Sequence, residues 1–312
     1  MIAADDAVQR PPDAKLLVLG PTGEIAHIPR SRFVDLLRAG DLVIANDAAT
    51  LPASLHGVHE PTGAPIEVRL AAWAGPLAQD VTTFRAVVFG AGDFHTRTED
   101  RGAPPPLAPG DRPRLGPLAS VVVVVGSHPR LVTLRLDGAP DHIWAGLARH
   151  GRPIQYAHLR TPLAIWDVWT PIAGLPAAFE APSASFALDW HAVETMRARG
   201  LGFATLTHAA GISSTGDAAL DRLLPFDEPY LVPHVTAAAI HDARRRGGRI
   251  VAVGTTVVRA LEHAAGRDGH VVAGPAIADN RIGTSTPVRC ATQSCRARTS
   301  RTRATTTGCA RS

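Results

Sequence analysis

A chain of 312 residues with 45% hydrophobic residues is long enough to bury a proper core and to hold two domains. Its formal charge of +4 suggests nucleic acid at first sight, but five arginines fall in residues 290–312; without them 27 basic residues face 28 acidic ones, so residues 1–289 carry a net −1. All three cysteines (Cys290, Cys295, Cys309) lie in that same segment, which excludes disulfides and thiolate metal sites elsewhere, and no apolar run approaches a membrane span.

The chain begins without a basic n-region or an apolar h-region, so a cytoplasmic protein is expected. Residues 16–20 and 24–28 read as two strands around the turn Gly20-Pro-Thr-Gly23. Ser31 is placed to cap a short helix over 32–38, stopped by Gly40. Residues 41–45 form a buried strand that delivers Asn46 and Asp47 into a loop. From about Ala64 the pattern changes. Ile66, Val68 and Leu70 alternate with polar neighbours, 84–89 reads as a strand, and 121–125 with 131–136 form a hairpin across Gly126-Ser-His-Pro-Arg130. Short strands at this spacing, with a Pro/Gly-rich loop over 102–117, indicate a small all-β module.

Helical patterns follow at 141–149, with Ile143, Trp144 and Leu147 on one face, and at 191–199. Strand 201–207, helix 235–246, strand 249–253 and a helix from about Val257 come next. Helices alternating with strands across short joins predict an α/β layer with parallel strands. In such sheets ligands sit beyond the carboxyl ends of the strands. Three segments end strands there: Asn46-Asp47, His208-Ala-Ala-Gly211 and Gly254-Thr255-Thr256. A fourth, Ala181-Pro-Ser183, stands just before a helix start. Thr255 and Thr256 occupy the expected N-cap of the last helix, whose first amides suit a carboxylate or phosphate. His56-x-x-His59 and the other histidines lack metal-ligand spacing, so no metal is expected. No Gly-x-Gly-x-Gly loop follows a first strand, which argues against a methyltransferase.

The string Val253-Gly-Thr-Thr-Val-Val-Arg259 resembles the Val-Gly-Thr-Thr-x-Val-Arg signature of the S-adenosylmethionine:tRNA ribosyltransferase-isomerases of queuosine biosynthesis. Leu17 to His27, Phe33 to Leu37 and Gly40 to Asn46 follow that family's N-terminal region in order, and the resemblance runs from about Leu16 to Arg289. Other positions depart from it: Asp47, Ala48 and Ala49 replace Asn, Thr and Arg, Ser54 replaces Arg, Ser185 and Ala187 replace Gly and His, and only Glu228 survives of a His-Ser-Glu group. Such losses of polar groups imply a divergent branch.

The resemblance implies a main α/β domain interrupted by a β-barrel-like domain, with parts at 1–62, 63–139 and 140–289. It implies transfer and isomerisation of the ribosyl group of S-adenosylmethionine onto a 7-aminomethyl-7-deazaguanine in tRNA, giving epoxyqueuosine, adenine and methionine. The alternative is a non-catalytic paralog that binds S-adenosylmethionine or a nucleotide. Such chemistry needs a base, an acid for adenine and an anchor for the methionine carboxylate. His208 and Glu228 are the candidates for acid/base work or polar orientation. Asn46, Asp47, Ser183, Gly254, Thr255, Thr256 and Arg259 are the expected cofactor contacts, although Arg259 also suits a structural ion pair. tRNA is the expected partner, and a monomer the expected state.

Residues 290–312 contain six Thr and five Arg, with no acidic residue and no Val, Ile, Leu, Phe or Met. That composition predicts a disordered basic tail, read as a frameshifted translation after Arg289 rather than a nucleic-acid arm. The family's further segment, with its Asn-Phe-His-Leu-Pro-type motif, is absent.

Overall fold

The computed structural model describes residues 14–20, 22–75, 78–159, 161–266, 268–283, 285–298 and 306–311. The chain opens with an antiparallel hairpin, β1 (Lys15–Leu19) and β2 (Ile25–Pro29). The short capped helix expected at 32–38 is instead a 3-10 helix over Arg30–Leu36; it starts directly after Pro29, and Ser31 sits inside its first turn. β3 (Leu42–Asn46) follows, then the two-residue strand β4 (Ala49–Thr50).

Six strands then close a barrel in the order β10-β7-β6-β5-β8-β9. They are β5 (Ser54–His59), β6 (Ala64–Trp73), β7 (Thr83–Phe89), β8 (Pro113–Leu115), β9 (Leu118–Val125) and β10 (Leu131–Leu136). The domain boundary expected between 62 and 63 therefore falls between two barrel strands; the barrel begins at Ser54. β5 escaped the reading because its sequence, Ser-Leu-His-Gly-Val-His, does not alternate apolar with polar residues. On the outer face of β6, opposite the core residues Ile66, Val68 and Leu70, Glu67 accepts hydrogen bonds from Ser54 (2.7 Å), Arg69 Nε (2.7 Å) and Arg101 Nη1. All four side chains are buried. Burial drives the Glu67 carboxyl upward, but the charges and hydrogen bonds of Arg69 and Arg101 win and hold it at about 2.

After the barrel come α1 (Pro140–His150), β11 (Pro176–Ala178), which pairs with β4, and α2 (Trp190–Ala198), capped by Asp189. Next are β12 (Gly202–His208), the short α3 (Ala218–Asp221), β13 (Glu228–Val232), α4 (His234–Arg245), β14 (Ile250–Val253), α5 (Thr255–Ala264) and β15 (Gly274–Ala278). β12, β3 and β14 are parallel neighbours. Both faces of these strands are buried, in alternation. Leu42, Ile44, Ile250 and Ala252 pack with α4 and α5 on one side; Val43, Ala45, Val251 and Val253 pack with Phe33, Ala184 and Met196 on the other. The fold is thus an α/β domain with a parallel core and an inserted small barrel.

The segment after Arg289 corrects the expected disordered tail. The Glu262 carboxylate accepts the backbone N–H groups of Arg289 (2.6 Å), Cys290 (2.8 Å) and Ala291 (2.9 Å), and Thr292 N–H donates to the Ile250 carbonyl (3.0 Å). β16 (Gln293–Arg298) and β17 (Thr306–Arg311) then complete a nine-stranded sheet, order β15-β13-β12-β3-β14-β16-β17-β1-β2. A composition without large apolar residues argues against a packed element, yet strand pairing is carried by backbone groups, and β14 and β1 each offer an edge.

Candidate active site

The carboxyl ends of β3, β12 and β14 meet as expected, and Asn46 joins them. Its side-chain amide donates to the His208 carbonyl (3.0 Å) and to Thr256 Oγ1 (3.2 Å), and its carbonyl oxygen accepts from Ala48 N–H and His208 N–H, both at 3.0 Å. Asn46 is fully buried and its polar atoms are engaged internally. It positions the start of α5 and makes no direct wall of a site, contrary to the expected cofactor contact.

The start of α5 also differs from the expected Thr cap. Gly254 is the N-cap, with φ of +105°, and Thr255 and Thr256 are the first two helical residues. A positive φ favours glycine, and a Cβ here would stand 3.2 Å from the Ala184 side chain, so glycine lets the 3-10 helix over Ser183–Ala187 approach the turn. The first-turn amides of a helix have no intrahelical partner, and the hydroxyls of Thr255 and Thr256, the latter accepting from Asn46, stand at this end.

A cavity of about 1210 Å³ opens in front of it. Thr255, Thr256, Arg259, Ser183 and Glu228 line one side, and Thr98 and its neighbours from the barrel line the other. Phe179 couples the two halves: its ring packs edge-on against Trp73 (6.0 Å) and Phe84 (6.1 Å) in the barrel core, while its N–H donates to the Ala210 carbonyl (2.8 Å). Of the expected contacts, Asp47 and Gly254 do not reach the cavity. The Asp47 carboxylate is held by Thr207 Oγ1 at 2.7 Å.

Arg259 reaches the wall but is committed inward. Its guanidinium pairs with Glu228 and donates to the carbonyls of Asn280 (3.0 Å), Phe226 (2.9 Å) and Ala278 (2.7 Å). Glu228 Oε1 accepts from Gly211 N–H (2.6 Å). Burial raises the Glu228 pKa, with Arg259 working against it and the nearby Glu180 adding to it. His208 has no exposed surface and is absent from the cavity wall. Its Nε2 lies 3.5 Å from Glu228 Oε2, and neither ring nitrogen has a hydrogen-bond partner among the described residues. Burial first, and Arg259 second, drive its pKa down to about 3, so the ring is neutral at pH 7. The imidazole is thus enclosed and neutral behind the wall, a place that suits polar orientation more than direct acid/base work.

Two wall residues were missed from the sequence. Tyr156, in the loop after α1, donates its hydroxyl to Glu180 Oε1 at 2.5 Å, and Glu180 follows Phe179 directly. No periodicity marks either residue. The only signal was a carboxylate immediately before Ala181-Pro-Ser183, itself a candidate segment. Among the described residues, no cluster of three or more His, Cys, Asp or Glu could hold a metal, and no helix is long and apolar enough to cross a membrane.

Glu228, buried, and Glu180, partly buried, both line this cavity beside the carboxyl ends of the parallel strands. The chain is of the enzyme class. A model of the queuosine biosynthesis protein family matches residues 1–291, and the chain belongs to that family. It is 30% identical over 286 residues to a protein of Trichlorobacter lovleyi named S-adenosylmethionine:tRNA ribosyltransferase-isomerase, covering 89% of this chain and 78% of that one. A protein of the same name from Sorangium cellulosum is 32% identical over 284 residues, covering 82% and 73%. A crystal structure of an S-adenosylmethionine tRNA ribosyltransferase from Thermotoga maritima superposes weakly, with a TM-score of 0.44 and 20% identity, over 95% of this chain and 81% of that one.

Proposed function

We propose that this protein transfers and isomerises the ribosyl group of S-adenosylmethionine onto a 7-aminomethyl-7-deazaguanine in tRNA, releasing adenine and methionine. The observation that carries this reading is that the start of α5, within the Gly254-Thr-Thr-Val-Val-Arg259 string, opens into the same cavity as the carboxylates Glu180 and Glu228. The helix start, Thr255 and Thr256 suit the methionine carboxylate, with Ser183 beside them. Glu228 suits the base that takes the acidified proton from the 5′ carbon of the sulfonium, because a carboxylate raised by burial is a better base than one in water. Asn46 and Arg259 act behind these groups, one holding Thr256 and the other Glu228. The cavity exceeds the roughly 300–1,000 Å³ of ordinary small-molecule sites, which suits a reaction of two partners. The barrel, 54–136, is the inserted domain that closes the far wall in this reading.

The test is incubation of the full chain with S-adenosylmethionine and tRNA carrying the 7-aminomethyl-7-deazaguanine, with adenine followed by chromatography. Adenine release that depends on the tRNA is the expected outcome. Binding of S-adenosylmethionine without adenine release would replace this reading by that of a non-catalytic paralog.

A further inference from the structure

Glu180, which is partly buried, stands apart from the buried carboxylates Glu67 and Glu228. Glu67 is bonded to two guanidinium groups and Glu228 to one, whereas no Lys or Arg lies within ion-pair distance of Glu180 among the described residues. Its hydrogen-bond partner is neutral, the Tyr156 hydroxyl at 2.5 Å, and Ser213 stands nearby. The Tyr156 hydroxyl in turn lies 3.3 Å from the Ser214 carbonyl, so the pair is tied to the loop that follows β12. Both Tyr156 and Glu180 line the cavity.

A carboxyl group in a cavity, without a counter-cation, resists ionisation because the charged form lacks both water and a partner. Burial does raise the Glu180 pKa, and the Ser213 and Tyr156 hydrogen bonds oppose it. The other charged groups around it do not alter the balance in kind. Arg69 of β6 attracts only at a distance, and Glu228 of β13 repels. Across the cavity Arg97 is paired with Glu99, Arg259 with Glu228, and Arg281 with the carbonyls of Arg222 and Leu223. His158 stacks on Tyr156 with ring centroids 6.2 Å apart.

We propose that Glu180 is the catalytic acid that protonates the departing adenine, and that Tyr156 is its positioning residue. The proposal rests on the ribosyl-transfer reading above. In the step, the bond between the ribose carbon and adenine breaks and its electron pair goes to the purine. The carboxyl proton of Glu180 passes to the purine, which leaves as neutral adenine. Glu180 remains as a carboxylate, held by the hydroxyl of Tyr156. The proton lost by the acceptor amine as its own C–N bond forms restores the acid. The two cavity carboxylates thereby divide acid from base by environment: Glu228 beside a guanidinium, Glu180 beside neutral donors.

The experiment compares adenine release by the wild-type chain, Glu180→Gln and Tyr156→Phe across pH, with S-adenosylmethionine affinity measured by calorimetry as a check that each variant is folded. General-acid loss costs about 10²–10⁴-fold in rate, so Glu180→Gln is expected to lower kcat by at least about 10²-fold with KM little changed and affinity retained. It should also abolish the fall of kcat at high pH. In Tyr156→Phe that fall should move to higher pH, because a donor that favours the carboxylate is gone; a merely structural tyrosine would not move it. Should Glu180→Gln fail to fold, Tyr156→Phe carries the test through the pH profile alone. A wild-type chain that releases adenine, together with an unchanged kcat in Glu180→Gln or an unmoved profile in Tyr156→Phe, overturns the acid assignment alone. A wild-type chain that releases none overturns the ribosyl-transfer reading and this proposal with it.

Discussion

The barrel and the cavity bury the same functional group to opposite ends. In the barrel, Glu67 is surrounded by Ser54, Arg69 and Arg101 and is held ionised, with a pKa of about 2. Three guanidinium groups, those of Arg69, Arg101 and Arg130, also stand 4.8, 5.5 and 5.1 Å from the Phe89 ring. In the cavity, Glu228 meets one guanidinium and Glu180 none, and both are raised. Burial alone therefore does not decide what a carboxylate does. The number of cations within bonding distance decides whether burial or charge prevails, so Glu67 is held down while Glu228 and Glu180 are pushed up.

The comparison is broken most severely in the barrel. Glu67→Gln removes the carboxylate that, among the described residues, pairs with both Arg69 and Arg101 and strands two buried cations, which is expected to cost about 3–5 kcal/mol of stability by urea denaturation. The wild type should carry the matching pH signature. Because the folded pKa is depressed, the stabilisation is present above the unfolded value near 4.5 and is lost as pH falls toward about 2. A loss below about 1 kcal/mol in the variant would mean that the cluster contributes no more than an exposed pair.

In the cavity the same kind of deletion should cost less. Arg259→Met leaves Glu228 without its cation, but a carboxyl already raised by burial can take up a proton and become neutral. We expect a loss of about 2–3 kcal/mol at pH 7, shrinking on acidification as that proton is supplied. A loss as large as that of Glu67→Gln, and independent of pH, would show that the two sites do not differ.

The smallest effect is expected at His208. Both ring nitrogens lack partners, so His208→Leu removes no hydrogen bond and should change stability at pH 7 by less than about 1 kcal/mol. Its signature lies in pH dependence. The unfolded imidazole binds a proton below about 6.5, while the folded one does so only near 3. Stability of the wild type therefore falls on acidification through that window, and the variant should lose about 1.4 kcal/mol per pH unit of that slope. An unchanged slope would show that the imidazole is not neutral in the fold.

Much of the architecture was legible along the chain. β3, β12 and β14 showed themselves as buried runs, α1, α2, α4 and α5 through apolar spacing and glycine stops, and the β9–β10 hairpin through its turn. Those signals are local, since a strand or helix writes its period into its own residues. β5 escaped because its sequence does not alternate apolar with polar residues, and β13 and β16 escaped because backbone pairing with strands elsewhere in the chain leaves little compositional trace.

For the site, the sequence by itself determined the three strand ends that converge, the glycine turn at Gly254, the hydroxyls of Thr255 and Thr256, and the family pattern. Which of the named residues face the cavity was decided only by the tertiary structure. It turned Asn46 and His208 inward, committed Arg259 to Glu228 and to backbone carbonyls, and brought Tyr156 and Glu180 together across 24 residues of chain. The physical reason is that a polar side chain's role follows from which charges and donors surround it in space and how much water is left around it, and neither is encoded in any residue's immediate neighbours.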